Sequence, residues 1–278
     1  MVRKAIIPIA GLGTRMAPIS KVVPKAMLPL PDGHRSVLPV IHWICAEAAL
    51  GGVEEVLIVA SSWQRDLVDR YLSTVSGEQH ALPVKIDYAL MDQADGFGAA
   101  VVLGRDFVGA EPFMLLLGDH VYIPSGGGKS CAAQVVEAHD ALGGMATIGV
   151  QPVSAQELRF VGVVAGEPIS QCLYRCTAFV EKPTVSVAAE KLATGNLPAG
   201  KWLAHCGIYI FEDEIFDCLA ELAPSARQAG RELQLADAQT MLLERHPNKY
   251  YLRLIEGRAC DTGTPVGYAG AVEAFVKR

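Results

Sequence analysis

Residues 5–29 constrain this chain more than any other stretch. Ala5 to Ile9 is an apolar run of the length of a buried strand. It runs into Gly11 and Gly13, then into Arg15, Lys21 and Lys25, with prolines at 18, 24 and 29. A strand that ends in a glycine turn lets backbone N–H groups approach a ligand, because no Cβ stands in the way. Successive N–H groups in such a turn form an anion-binding concavity. The prolines and the lack of periodicity predict a fixed loop, not a helix. Ala10, Gly11, Gly13 and Thr14 therefore read as a triphosphate cradle, with the three cations adding charge. The plain alternative is a strand–turn whose basic face is merely solvated.

Two better-known glycine motifs do not fit. The dinucleotide fingerprint needs glycine at its last position, where Gly11-Leu-Gly-Thr-Arg-Met16 has methionine. The Walker loop needs a glycine five residues before the Gly of Gly-Lys-Ser. Gly128-Lys129-Ser130 has Ile123 there, so it reads as a turn before a helix.

The next question is what kind of chain surrounds the cradle. A net charge of −6 argues against nucleic-acid binding by bulk electrostatics, so cations for a polyanion must be gathered locally, as they are in the first loop. Seven cysteines, an odd count without a Cys-x-x-Cys pair, predict reduced thiols and a cytoplasmic location. No apolar run approaches a membrane span. Met1-Val-Arg-Lys4 before the first apolar run is too weak a pattern for a signal peptide.

The pattern predicts strands at 5–9, 55–60, 83–90, 112–117 and 146–150. Helices are expected at 36–50, 63–72, 96–103 and 128–142. Such alternation predicts an α/β fold with a doubly wound, mostly parallel sheet, in which ligands bind beyond the carboxyl ends of the strands. Both the cradle and Gly118-Asp119 lie at such ends. After residue 150 the rhythm becomes β-rich, with strands expected at 161–164, 171–181 and 203–211 and a short helix at 185–192. Helices at 212–222 and 233–245, a strand at 249–255 and a closing helix at 264–277 follow. We expect one domain, with a doubly wound first part over about 1–150 and a β-rich second part over about 151–278.

Asp119, at the mouth of a fully apolar strand, is placed to hold Mg²⁺ between phosphates, since that ion takes one or two carboxylates plus substrate oxygens. Asp261, in Cys260-Asp-Thr-Gly-Thr264, reads alone as a turn or cap residue. Lys182, before Pro183, is expected to be extended and reads alone as a surface lysine.

The long motif from Gly11 through Pro18, Lys21, Pro24-Lys25 and Met27-Leu28-Pro29 resembles the signature of the sugar-1-phosphate nucleotidylyltransferases, most nearly the bacterial branch that uses UTP and glucose-1-phosphate. The resemblance runs colinearly through Gly118-Asp119, Gly162-Val-Val164, Glu181-Lys-Pro183, Glu232-Leu-Gln-Leu235 and Asp261-Thr-Gly263. It implies a Rossmann-like, glycosyltransferase-A-like fold with a sugar-side insertion. It also implies transfer of a nucleotide to a sugar-1-phosphate with release of pyrophosphate. Arg15 and Lys25 would act on the triphosphate, and Mg²⁺ would sit on Asp119 and Asp261. Lys182 would hold the sugar phosphate, Glu181 and Gly162 would face the sugar, and Lys21 would only shape the field. The expected partners are a nucleoside triphosphate and a sugar-1-phosphate, and the family often forms dimers or tetramers.

The chain departs from the family at the base. The family's base-reading glutamine lies about five residues before a helix-opening glycine. Here Met91 stands five before Gly96 and Gln93 three before. Either the loop is shorter and Gln93 reads the base, or base recognition differs. Gly118-Asp119-His120 resembles the thymidylyltransferase branch, so dTTP stays open beside UTP. A non-catalytic nucleotide-sugar sensor is the reading from another class. It would be expected to lose some of Arg15, Lys25, Asp119, Lys182 and Asp261, and all five are present.

Overall fold

A computed structural model of the chain describes residues 1–33, 36–75, 80–93 and 95–277. The first strand, β1 (Lys4–Pro8), enters a loop of three single 3₁₀ turns at Thr14–Met16, Ile19–Lys21 and Lys25–Met27. The expectation of a loop without an α-helix is met. A small ribbon of β2 (Pro29–Pro31) and β3 (Val37–Pro39) leads into α1 (Val40–Leu50). The helix expected from residue 36 thus begins four residues later. Pro39 is the cause: it pushes Leu38 to extended backbone, and the apolar residues 37 and 38 join a strand instead.

The chain continues through β4 (Glu55–Ala60), α2 (Ser62–Val75), β5 (Lys85–Leu90), α3 (Phe97–Val102), the one-turn α4 (Arg105–Val108) and β6 (Phe113–Leu116). Strands β5, β4, β1 and β6 lie side by side in that order, all parallel. The order steps from β1 to β4 on one side and to β6 on the other. The crevice at the carboxyl ends of β1 and β6 is therefore the switch point at which such sheets bind ligands.

Side chains alternate across each central strand. Ala5 and Ile7 pack in one core with Val56, Ile58, Met114 and Leu116, while Ile6 packs in the other with Leu57, Val59, Phe113 and Leu115. Both faces are covered, which explains why these strands are apolar throughout and do not alternate with polar residues.

Beyond β6 come β7 (His120–Pro124), α5 (Cys131–Leu142), β8 (Ala146–Ser154), β9 (Gly162–Pro168), β10 (Leu173–Glu181), α6 (Val185–Lys191) and β11 (Lys201–Phe211). Then follow α7 (Glu214–Gln228), α8 (Leu235–Arg245), β12 (Tyr250–Leu254), β13 (Gly257–Asp261) and α9 (Pro265–Val276). The main sheet has nine strands in the order β5-β4-β1-β6-β11-β8-β12-β10-β9. The α/β class and the Rossmann-like order of the first half match expectation. The second half is mixed, because β11 runs antiparallel to both β6 and β8. Strands β9 and β10, with α6 and a small separate core around Val163, Trp202 and Leu192, form the expected β-rich insertion. Among the described residues no helix is long and apolar enough to cross a membrane.

Away from the crevice, His42 is buried on α1, with its Nδ1 3.1 Å from the Tyr71 hydroxyl. Burial and the neighbouring His80 push its pKa down to about 4. An unfolded histidine titrates near 6.5, so between those values the unfolded chain binds more protons. Stability is retained above pH 6.5 and falls on acidification toward pH 4, by at most ~1.4 kcal/mol per pH unit from this group. Urea unfolding at pH 7.5, 6.0 and 5.0 should show that loss, and His42→Asn should flatten it. An unchanged slope in the variant would clear His42 of the effect.

Candidate active site

The crevice between β1 and β6 opens into a cleft of about 660 Å³, within the range of pockets that bury a small ligand. Ala10, Gly11, Gly13 and Thr14, expected to form the cradle, line it together with Asp119, Gly162, Glu181, Lys182 and Asp261.

The convergence at Asp119 follows from strand register. The short strands β7 and β13 pair antiparallel, with His120 opposite Asp261. Thr262 then locks the junction: its N–H (2.7 Å) and its hydroxyl (2.8 Å) both donate to the Asp119 carbonyl. Asp261 caps no helix. Its Oδ1 accepts the Gly263 N–H at 2.6 Å, while Thr264 caps α9. A carboxylate whose oxygen is fixed by its own backbone two residues on presents the other oxygen in a set direction.

Lys25 Nζ donates to Asp119 Oδ2 at 2.6 Å. Arg15 bridges the two acids, at 3.6 Å from Asp119 Oδ2 and 3.4 Å from Asp261 Oδ2. His120 Nδ1 lies 3.0 Å from Asp119 Oδ1. Burial alone would raise the pKa of Asp119, but the hydrogen bond and charge of His120, with Lys25, outweigh it and hold the carboxyl well below the usual range. Burial likewise pulls His120 down, and Asp119 more than reverses that. Asp119, His120 and Asp261 each offer one ligand atom, and these atoms lie within 4.8 Å of one another. The arrangement is a divalent-metal candidate flanked by two cations.

The nucleotidyl transferase family model matches residues 4–277. This chain belongs to the nucleotidyl transferase family. It is 32% identical to a Streptococcus pyogenes UTP–glucose-1-phosphate uridylyltransferase, over 96% of this chain and 86% of that protein. It is 30% identical to the Bacillus subtilis (strain 168) UTP–glucose-1-phosphate uridylyltransferase YngB, with the same coverage. A crystal structure of UDP-glucose pyrophosphorylase complexed with UDP-glucose superposes with a TM-score of 0.82 at 27% identity, covering 100% of this chain and 99% of that one.

In this nucleotidyl transferase most of the expected site residues share one cleft, with two differences. Lys182 is not extended: its φ is 49°, in the left-handed region. The ladder between β9 and β10 ends at Glu181 opposite Gly162, and the Lys182 N–H still reaches the Val161 carbonyl at 3.1 Å. That hydrogen bond pulls the backbone back over the cleft instead of letting it run straight into Pro183. Gln93 is exposed and is not among the lining residues, whereas Met91 is. Lys21 is also exposed and off the cleft wall.

Several lining residues carried no role in the sequence reading. Glu232, Gln234 and Gln239 line the cleft because their segment is pinned to the start of α3: Leu233 N–H donates to the Asp95 carbonyl and Gly98 N–H to that of Leu233. Gly96, at φ 100°, makes this approach possible, since a Cβ there would lie 2.5 Å from the Leu233 carbonyl oxygen. Gln64, buried on α2, reaches the Gly11 carbonyl at 3.4 Å and so helps to fix the cradle.

Gly263 is packed directly against the acid cluster. A Cβ there would sit 2.4 Å from Asp119 Oδ2 and 2.8 Å from both Arg15 and Asp261 Oδ1. Gly263→Ala should therefore push the acids and the arginine apart while leaving the distant cores intact. Turnover is expected to fall about a hundredfold, as misplacement of reacting groups by an ångström does, with little change in melting temperature. Steady-state kinetics with a thermal melt checks this, and near-normal turnover would show that the crowding is relieved elsewhere.

Proposed function

We propose that this enzyme joins UTP to glucose-1-phosphate, giving UDP-glucose and pyrophosphate. The observation that carries the reading is the meeting of Arg15, Lys25, Asp119 and Asp261 beside the carboxyl ends of β1 and β6, in a cleft that Glu181 and Lys182 also line. The relatives' activity on UTP and glucose-1-phosphate, and the UDP-glucose complex of the structural neighbour, support the choice of substrates.

In this reaction a phosphate oxygen of the sugar-1-phosphate attacks the α-phosphorus of the triphosphate in line. The bond from that phosphorus to the bridging oxygen breaks, and pyrophosphate leaves with the electron pair. The nucleophile is already an anion and needs no general base. The barrier is the repulsion between two polyanions, so positioning and charge neutralisation carry the catalysis. Ala10, Gly11, Gly13 and Thr14 cradle the triphosphate, Arg15 and Lys25 stabilise the departing pyrophosphate, and Lys182 holds the attacking phosphate. Gly162 and Glu181 face the sugar, and base contact falls to the loop from Met91 to Gly96, with Gln93 engaged only if it turns inward.

Asp119 and Asp261 offer the hard oxygen donors that suit Mg²⁺, which would supply charge neutralisation between the phosphates. Lys25 and Arg15 touch the same carboxylate oxygens. Substrate phosphates would draw these two cations off the acids, so phosphate binding and ion binding favour each other. The first 150 residues and the remainder act as nucleotide and sugar sides of one catalytic unit. We place the protein in the cytoplasm as a homo-oligomer, in keeping with its free and mostly buried cysteines.

The deciding assay is pyrophosphate release from UTP and dTTP, each with glucose-1-phosphate. UTP is expected to prevail, and a dTTP preference would reassign the base. Lys25→Ala should lose about a hundredfold in turnover, the ~3 kcal/mol of one positioned charge contact, with the fold kept. Asp119→Asn should raise the Mg²⁺ concentration needed for half-maximal rate, and an unchanged titration would remove Asp119 from the ion site.

A further inference from the structure

His205 lies in the middle of β11 and lines the cleft beside Gly162, Glu181 and Tyr209. It is only 8% exposed, and its Nε2 is fully buried with no hydrogen-bond partner among the described residues. The ring stacks on Phe179 at 4.8 Å and meets Tyr209 edge-on at 5.4 Å. A phenylalanine or leucine could supply such packing without burying an unpaired polar atom, which is an unfavourable arrangement in a core. The other nitrogen sits differently. A Cβ placed on Gly162 would lie 3.2 Å from His205 Nδ1 and 2.8 Å from Glu181 Oε2. Phe179 crowds the same point at 2.8 Å, so the glycine is what lets the two polar side chains converge there, with Nδ1 and Oε2 within about 6 Å of each other on the cleft wall.

Burial drives the imidazole pKa down to about 3, so it is neutral and carries one N–H. A proton on Nε2 would be an orphaned buried donor, the rarer kind of unsatisfied group. The favoured tautomer puts the proton on Nδ1, facing the cleft. A donor on His205 and an acceptor on Glu181 then converge on the same part of the cleft wall. A hydroxyl is the group that satisfies both at once, accepting from one and donating to the other.

We propose that His205 is a specificity-determining residue that, together with Glu181, reads one hydroxyl of the sugar of a pyranose-1-phosphate. The inference rests on the assignment of this end of the cleft to the sugar phosphate. A site built to hydrogen-bond a hydroxyl discriminates strongly against the analogue that lacks it.

The test compares wild type with His205→Leu, His205→Phe and His205→Asn, using UTP with glucose-1-phosphate and its 2-, 3-, 4- and 6-deoxy analogues. In wild type, one deoxy analogue should lose at least about tenfold in kcat/KM. In the Leu and Phe variants the KM for glucose-1-phosphate should rise about tenfold. The penalty for that one analogue should collapse while the penalties for the others persist, which is the mark of a direct coupling. The KM for UTP should not move. His205→Asn, which keeps a donor near the Nδ1 position, should restore part of the discrimination. Melting temperatures of the apolar variants should equal or exceed wild type, because the unpaired Nε2 is gone.

Folded Leu and Phe variants with unchanged sugar KM and unchanged deoxy penalties would overturn the proposal. So would failure of both to fold, which would make the ring structural. Absence of turnover by wild type with any sugar phosphate is a separate result: it would remove the proposed function itself.

Discussion

Asp119 is half-buried against cations drawn from distant parts of the chain. Taking a carboxylate out of water costs several kcal/mol unless it is paired and hydrogen-bonded. Here the compensation comes from Lys25, ninety-four residues away in sequence, from Arg15 and from the adjacent His120. Arg15 extends the link to Asp261, near the far end of the chain. The cluster thus works as a joint as well as a site, holding the N-terminal loop against the last strand pair. Lys25, Arg15 and His120 all hold the two acids, so a divalent ion alone would have to compete with them, whereas phosphates on Lys25 and Arg15 would free the acids for it.

The sheet explains why this joint can exist. Parallel strands β1 and β6 end side by side at the switch point, which brings the cradle and Asp119 to one edge. Parallel strands alone would supply only that edge. The antiparallel strand β11, laid against β6, carries the sheet onward to β9 and β10, so that Glu181 and Lys182 come back to the same cleft.

Much of this was legible in the residues. The apolar runs at β1, β4 and β6 mark strands covered on both faces, and Gly11, Gly13, Gly118 and Asp119 mark the strand ends that face the cleft. What escaped depends on contacts between remote segments. Strands β7 and β13 are five residues each and pair with one another across more than a hundred positions, so no local periodicity announces them. Pro39 was visible, but its effect on residues 37 and 38 competed with a helical spacing of apolar residues. His205 sits in a nearly unbroken apolar run and reads as a core residue. Only the lack of a partner for Nε2, a property of the packed chain, sets it apart.

Several unfavourable arrangements meet at the cleft, while others, such as the unpaired Tyr122 hydroxyl and the register shift in β10 between Cys176 and Ala178, lie away from it. Lys182 holds a positive φ, of a kind that costs ~1–3 kcal/mol for a side-chain-bearing residue. His205 buries an unpaired nitrogen. The register of β11 against β8 slips between His205 and Tyr209, which breaks the ladder at the cleft. Asp119 holds a charge at a half-buried position. All four line the same cavity. The other non-glycine residue with positive φ is Asn196, in a turn between α6 and β11, where asparagine tolerates that conformation at little cost. A chain selected only to be stable would relieve such arrangements where they are least constrained, and apolar side chains at 205 would do so without changing the packing. The groups at the cleft are ones that a bound ligand would pair: a cation for Asp119, an anion for Lys182 and a polar group for His205.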